Sequence, residues 1–492
     1  MLKKSIFFIL FLLPVLLSAS TVDVYHTSDM HGFYFPRNID GKEKGGFALL
    51  AGYLNSQAKP YLLLDSGDFT SGTYEAKKTG GNLSVLFMNE LKYDAATIGN
   101  HENDFKKDNL MKNMETAKFD ILAANMFDSN TGTLLSNVKP YKVYKINGKR
   151  IGVIGLAKEF STKADGIKIS QEKTSLKKAL AEIKNENPDA IILLTHSSIK
   201  DNKHTEVESN YTLVEGMEGI NVVLGGHAHN IFQNVYNDDG VLFVESGTAL
   251  TQVSHIILDF DDATGKLKSA KSELIKLDKD MYAPDPYIES FAEENRDKEM
   301  DIVIGKSLQV IPHSAIKNSD FVDAPLSNLI ADLMKAYSNA EIGMQNTGGT
   351  REDLKQGDIT NRIAYQIFPF SNTVCKVQVK GKFIKKLLYN SLREDKSLFE
   401  FSGLQIKYRY KNERPHLISV KVNGKDLEPY KTYSLSTNDY IAKGGSEGFM
   451  FKNLPEKPVC STLTLKDLLS KYVKNHPEGI KSPGNGRIIK VD

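Results

Sequence analysis

Five apolar runs in this chain end in the same way. Each is short enough to be one buried strand, and each stops at Asp, His or Asn. They are Val22-Asp23-Val24-Tyr25-His26-Thr27-Ser28-Asp29-Met30-His31, Tyr61-Leu62-Leu63-Leu64-Asp65-Ser66-Gly67-Asp68, Asp94-Ala95-Ala96-Thr97-Ile98-Gly99-Asn100-His101, Ala190-Ile191-Ile192-Leu193-Leu194-Thr195-His196 and Asn221-Val222-Val223-Leu224-Gly225-Gly226-His227-Ala228-His229. In open α/β sheets, ligands gather beyond the carboxyl ends of the strands. Five such ends can converge on one place, which is the requirement for a two-metal hydrolytic site. Any one of these motifs is weak by itself; the recurrence carries the argument.

The residue types set the chemistry. Asp29 and His31 sit two apart, so on a strand they would face the same way. Asp68 follows Gly67 in a turn, where one carboxylate can reach two ions. Asn100 offers an amide oxygen, and His196, His227 and His229 offer imidazole nitrogens. Mixed Asp, His and Asn ligands suit zinc, manganese, iron or cobalt. Two such ions about 3.5–4 Å apart can clamp a phosphate and hold a hydroxide between them. Gly99 is expected to allow a sharp turn off its strand. His101 cannot easily bind the same metals as its neighbour Asn100, so it is assigned to the substrate, as the acid that protonates a leaving alkoxide. Asp104, three residues on, would fix its orientation. His26, His204, His255, His313, His416 and His476 are read as structural. Asp65 is read as a partner of its loop, and Glu102 as an acceptor for backbone N–H groups.

Residues 21 to about 280 alternate apolar strands with amphipathic helices, which argues for an α/β layered core. Strands are predicted at 22–27, 61–65, 94–98, 120–124, 151–155, 190–195, 221–224, 242–246 and 254–259. Helices are predicted at 46–58, 80–92, 107–116, 175–186 and 211–217. Pro284 and Pro286 then break the pattern. The segment 281–302 reads as a connection, helical over 287–300. From 303 to 492 the pattern is α+β, with helices at 325–337, 381–393 and 464–475 and strands such as 375–379 and 404–410.

Composition adds limits. The 492 residues are 40% hydrophobic and 25% charged, as in a soluble globular protein of two or three domains. A net charge of +2 provides no broad basic field to draw nucleic acid, and none is expected as a partner. Lys3 and Lys4, the apolar run from Ile6 to Leu17 and the small residues Ser18-Ala19-Ser20 have the form of a secretory signal over 1–20. That run is too short to span a bilayer comfortably, so no stable membrane anchor is expected and the mature protein is placed in the periplasm. Cys375 and Cys460 are the two cysteines of the chain. Export permits a disulfide between them, and the sequence leaves open whether they pair. It also leaves the oligomeric state open.

The order Asp29-x-His31, Gly67-Asp68, Gly99-Asn100-His101-Glu102, His196, Gly226-His227-x-His229 resembles the calcineurin-like metallophosphoesterases. With its downstream half, the chain resembles the bacterial 5′-nucleotidases and UDP-sugar hydrolases. The resemblance implies a four-layer α/β sandwich over 21–280 and a separate α+β substrate-binding domain over 303–492. It implies two divalent ions, one on Asp29, His31, Asp68 and His229, the other on Asp68, Asn100, His196 and His227. His101 and Asp104 match the family's catalytic dyad. Asn346-Thr347-Gly348-Gly349-Thr350-Arg351 matches a motif in which Arg holds phosphate and Asn contacts the base or ribose. Phe368-Pro369-Phe370-Ser371-Asn372 matches the next, in which Phe370 stacks on the base and Asn372 hydrogen-bonds it. Tyr440-Ile441-Ala442-Lys443-Gly444-Gly445-Ser446 matches the last, with Tyr440 in place of Phe as the other wall of an aromatic sandwich. Two positions depart from the family. Ser446 stands where Asp commonly binds the ribose hydroxyls, and Val322 stands where many members carry a phosphate-binding Arg before the acidic residue, here Asp323.

These readings predict an exported dinuclear-metal phosphohydrolase that releases phosphate from nucleoside 5′-monophosphates by attack of a metal-bound hydroxide. UDP-sugars or 2′,3′-cyclic nucleotides are the alternative substrates. The alternative of another class is a nucleotide-binding protein with an inactive site, which missing ligands would mark.

Overall fold

Along the strand Ser20–Thr27, Val22 and Val24 point into one core and Tyr25 into another, as the two-residue period of a strand requires. The computed structural model describes residues 20–39, 41–199, 210–315, 320–393 and 397–491. Within them, Ser20–Thr27 lies inside a seven-stranded sheet, antiparallel to Gln252–Phe260 and parallel to Tyr61–Asp65. Ala95–Ala96, Asp120–Leu122 and Val138–Lys139 continue that sheet on one side, and Leu267–Lys276 closes it on the other. A second sheet of six strands has the order Ile231–Tyr236, Leu242–Ser246, Val222–Gly225, Ala190–Thr195, Lys149–Leu156, Tyr141–Ile146.

The two sheets share a core that includes Val24, Leu62 and Leu64 from the first and Ile192, Leu224 and Val244 from the second. Truncating a fully buried residue such as Leu64 to alanine costs about 2–5 kcal/mol. The helices Phe47–Asn55, Asn82–Glu90 and Lys107–Thr116 cover the outer face of the first sheet. Glu172–Lys184 and Asn210–Val214 cover that of the second. Helix, sheet, sheet, helix is the four-layer α/β sandwich that the resemblance implies.

The chain forms two compact units, one made of residues up to 71 with 75–295, the other of 72–74 with 296 onward. The second unit is α+β. One of its sheets has the order Phe399–Ser402, Ile342–Asn346, Thr432–Asn438, Thr373–Lys380, Val459–Thr464. The other runs Lys425–Asp426, Arg414–Val422, Leu404–Lys411, Ile488–Lys490. The helix Pro325–Ser338 starts with Pro in its first turn and stops at Asn339, whose φ of 47° ends the helical path. Cys375 and Cys460 stand directly opposite on antiparallel strands and are joined as a disulfide.

Several predicted elements differ. The helix expected over 287–300 is Pro286–Glu294 followed by a separate 3-10 turn, Lys298–Asp301. Asp297 accepts from the backbone of Glu299, a local bond that competes with helix continuation. The strand expected over 94–98 is only Ala95–Ala96, because Ile98 gives its carbonyl to the N–H of Lys158 outside the sheet. Edge strands such as Leu267–Lys276 escaped the sequence reading, since their exposed face is rich in Lys, Ser and Glu. The signal segment, apart from the backbone of Ser20, and His204 lie outside the described residues.

Candidate metal centre

Asp29 and His31 do not lie on a strand. Ser20–Thr27 ends before them, and both take left-handed backbone conformations, with φ of 51° and 49°. Asp68, His227 and His229 do the same, at 57°, 75° and 58°. A left-handed conformation costs a residue with a side chain roughly 1–2 kcal/mol. Five of the seven candidate ligands carry that strain, a clustering typical of sites where side-chain direction matters more than local stability.

Glycine allows the loops to approach. A Cβ on Gly67 would lie 2.5 Å from the nitrogen of Gly99, and one on Gly99 would lie 2.2 Å from Asp68 Oδ1. Gly99 is therefore required for clearance and takes no left-handed φ, contrary to the turn role expected for it. Glu102 binds the two loops together, accepting from the N–H groups of Asp68, Phe69 and Gly99 at 3.0, 2.8 and 2.6 Å. Asp65 accepts from Thr27 Oγ1 at 2.7 Å and from the N–H of Gly67 at 2.8 Å. Both residues hold the backbone, as read from the sequence.

The side chains meet in two groups, Asp29 with His31 and His229, and Asp68 with His196 and His227. Within each group the ligand atoms lie within 4.8 Å of one another. His31 Nε2 is 4.0 Å from both Asp29 Oδ1 and Asp68 Oδ2, so the groups adjoin at the two carboxylates. His31 Nδ1 donates to Ser71 O at 2.8 Å and His196 Nδ1 to Ser66 O at 2.6 Å, which turns each Nε2 inward. Asn100 Nδ2 donates to Ser161 Oγ at 2.7 Å, and its Oδ1 lies 2.7 Å from His227 Nδ1.

Divalent cations fit this donor set. His196 Nε2 is fully buried, 2.9 Å from Asp68 Oδ2, yet has no aligned hydrogen-bond partner. Burial opposes charge throughout the centre, raising Asp29 to about 6. It opposes a proton on His196 as well, but Asp68 and Asp29 outweigh it and push His196 up to about 10. Burial likewise works against ionised Asp68, and His196 and His101 overcome it and hold Asp68 well below the ordinary range. The two carboxylates thus draw positive charge to one buried place, as a divalent-cation site would.

His101 stands beside the candidate ligands. Its backbone N–H donates to Asp68 Oδ1 at 2.8 Å, and its ring lies 5.6 Å from that of His31. Its Nδ1 is 2.7 Å from Asp104 Oδ2, which also accepts from Ser71 Oγ.

Three motifs meet in the second unit. Asn346 ends the strand Ile342–Asn346, and Asn438 Nδ2 donates to Asn346 Oδ1 at 2.7 Å. Asn438 also caps the short helix Asp439–Ala442, which carries Tyr440. Asn372 Nδ2 donates to Asp439 Oδ1 at 3.1 Å, joining the Phe370 segment to that helix. The Arg351 guanidinium lies 6.0 Å from the centroid of the Phe370 ring. Gly445 clears the Tyr440 ring, which a Cβ there would meet at 2.5 Å. Tyr440 is 40% exposed, so it is a surface aromatic and not core. Ser446 begins the 3-10 helix Ser446–Asn453, but its side chain lies outside those described. Val322 is buried in the core of the unit, and Asp323 accepts from the N–H groups of Gly486 and Arg487.

Sequence reasoning missed Ser161, Asn438 and Asp439. Ser161 gave no signal, being an exposed loop serine. Asn438 and Asp439 immediately precede Tyr440, and that adjacency was the available clue.

Residues 22–230 match the calcineurin-like phosphoesterase family, and residues 303–453 match the family described as 5′-nucleotidase, C-terminal domain. The chain is 26% identical to the NAD 5′-nucleotidase of Haemophilus influenzae, over 93% of this chain and 91% of that one. It is 24% identical to a 5′-nucleotidase of Vibrio parahaemolyticus, over 92% and 89%. Among solved structures, a 5′-nucleotidase precursor from Thermus thermophilus superposes with a TM-score of 0.84 at 25% identity, covering 96% of this chain and 99% of the other.

Proposed function

The chain belongs to the 5′-nucleotidase family of metallophosphoesterases, and on that premise we propose that it is an exported hydrolase of nucleoside 5′-monophosphates. The observation that carries the reading is the convergence of Asp29, His31 and His229 beside Asp68, His196 and His227. No ligand position is lost, which speaks against an inactive nucleotide-binding protein. One ion would be held by Asp29, His31, Asp68 and His229, and the other by Asp68, Asn100, His196 and His227. When bound, two divalent ions supply Lewis acidity toward water and the phosphoryl oxygens. Zinc, manganese, cobalt and iron all suit these donors.

The chain's own groups do the rest. Asp104 accepts from His101 Nδ1–H and so aims Nε2 away from itself, toward substrate. From there His101 donates to a phosphoryl oxygen and passes its proton to the departing ribose oxygen. Arg351 offers a planar pair of donors to phosphate. Phe370 and Tyr440 take the two faces of the base, and Asn346 contacts the nucleoside. Asn372 keeps its carbonyl oxygen for the base, because its amide N–H is directed to Asp439.

Val322 and Ser446 favour a second reading, in which the same centre acts on UDP-sugars or 2′,3′-cyclic nucleotides. One experiment separates these outcomes. Phosphate release is measured from AMP, UDP-glucose, a cyclic nucleotide and an aryl phosphate, after chelation and again with manganese, cobalt or zinc restored. The proposal expects AMP to lead and chelation to abolish turnover. Preference for UDP-glucose or the cyclic nucleotide moves the assignment to the second reading, and turnover that survives chelation overturns both.

A further inference from the structure

Glu245 is 1% exposed and lies on the strand Leu242–Ser246, which carries none of the proposed ligands. Its carboxylate reaches into the loop that follows His196. Oε1 accepts from the N–H of Ile199 at 2.6 Å and from Ser198 Oγ at 2.9 Å, and Oε2 lies 3.0 Å from the same hydroxyl. Ser198 Oγ in turn accepts from Asn230 Nδ2 at 3.3 Å, and Asn230 directly follows His229. The carbonyl of Ser197 accepts from the N–H of Gly226 at 3.2 Å, just ahead of His227. One buried carboxylate therefore stands behind the loops of three of the four histidines proposed to hold metal.

We infer that Glu245 is a positioning residue for the metal centre, fixing the loop after His196 against the loop carrying His227 and His229. The inference rests on the metal-centre reading above. The segment after Glu245 serves the same centre through other bonds. The N–H of Gly247 donates to Asn230 O at 2.9 Å, and Thr248 Oγ1 and the N–H of Ala249 donate to Asp29 O, each at 2.8 Å. The Glu245 side chain extends that support to His196. A carboxylate suits the position because its partners are a hydroxyl and an N–H. Glutamine has one acceptor oxygen, and its NH2 group would have to donate to Ser198 Oγ, which already accepts from Asn230 Nδ2. Groups that orient ligands from outside the first ring of contacts set metal affinity and geometry.

The test is cobalt binding by the metal-free full-length protein, followed by calorimetry and by visible absorption, which reports ligand geometry. Wild type, Glu245→Gln, Glu245→Asp and the control Glu273→Gln are compared, with thermal unfolding of each metal-free protein as the check on folding. Wild type and the control should take up two equivalents. Glu245→Gln should bind at least one equivalent about tenfold or more weakly, with an altered cobalt spectrum and a metal-free unfolding temperature close to wild type. Glu245→Asp, which keeps the carboxyl group, should fall between them. Unchanged affinity and spectrum in Glu245→Gln overturn the inference and leave the metal centre standing. Failure of the wild type to bind cobalt overturns the centre itself. If Glu245→Gln does not fold, Ser198→Ala carries the same expectation, and wild-type binding by that variant overturns the inference equally.

Discussion

His101 Nδ1 stands 2.7 Å from Asp104 Oδ2, and the same carboxylate oxygen holds Ser71 Oγ at 2.9 Å. Asp104 is therefore tied to the loop that follows Asp68, and His101 is held through Nδ1. This geometry suits a group that moves a proton more than a group that binds an ion. His101→Ala should lose roughly 10²–10⁴ in kcat, the usual worth of a general acid, while its metal content stays at the wild-type level. Asp104→Asn should lose less, because the ring remains and only its orientation is weakened. If His101→Ala empties the centre, the residue is a ligand and its role here is wrong.

The residues proposed to bind nucleotide predict a split between base and sugar. Base–aromatic stacking is worth roughly 1–3 kcal/mol and ignores the sugar. Phe370→Ala should therefore raise KM for AMP and for 2′-deoxy-AMP alike. In the proposed site Ser446 would accept from one ribose hydroxyl, without the charge assistance of a carboxylate, whose hydrogen bonds are worth about 1.5–3 kcal/mol each. Wild type should discriminate poorly between the two substrates, and Ser446→Asp should lower KM for AMP more than for the deoxy form. If both variants leave these values unmoved, the nucleoside does not bind at these motifs.

His26 gives stability a defined pH dependence. Burial pushes its imidazole from 6.5 down to about 3, and Ser66 and Ser246 bond its two nitrogens. The unfolded chain takes up a proton near pH 6.5 that the folded chain refuses until about pH 3. The unfolded state thus binds more protons across that window, and the contribution of neutral His26 is lost as pH falls through it. The slope from this one group is about 1.4 kcal/mol per pH unit well inside the window. Urea unfolding of the metal-free protein at pH 7 and pH 5 measures it. The stability gap between wild type and His26→Gln should shrink at the lower pH, and a gap independent of pH contradicts the assignment.

Export predicts the mature terminus. The motive is the pair Lys3 and Lys4 ahead of the apolar run from Ile6 to Leu17. Among the described residues no helix is long and apolar enough to cross a membrane. Protein released with the periplasmic fraction should begin near residue 20 or 21 by mass spectrometry. Recovery of the mature protein with residues 1–20 intact would count against export by this segment.

Much of the layered core was legible because central parallel strands are buried on both faces and read as unbroken apolar runs, as Ala190–Thr195 does. The candidate ligands were legible because each sits at the end of such a run. Their backbone geometry was not. No periodicity reports that Asp29, His31 and Asp68 are left-handed, since the conformation is imposed by distant partners, such as the N–H of His31 bonding to the carbonyl of Asp68. Glu245 was invisible for a related reason. Its strand reads as core, and only the fold brings its carboxylate to Ser198 and Ile199.

Asp68 is proposed to bridge two ions, and the metal count per chain decides it. Elemental analysis of protein loaded with manganese or zinc and freed of excess metal should give two ions per chain for wild type. Asp68→Ala should lose most of that metal together with activity, while remaining folded. One ion per chain in wild type, or two retained in Asp68→Ala, would contradict the account.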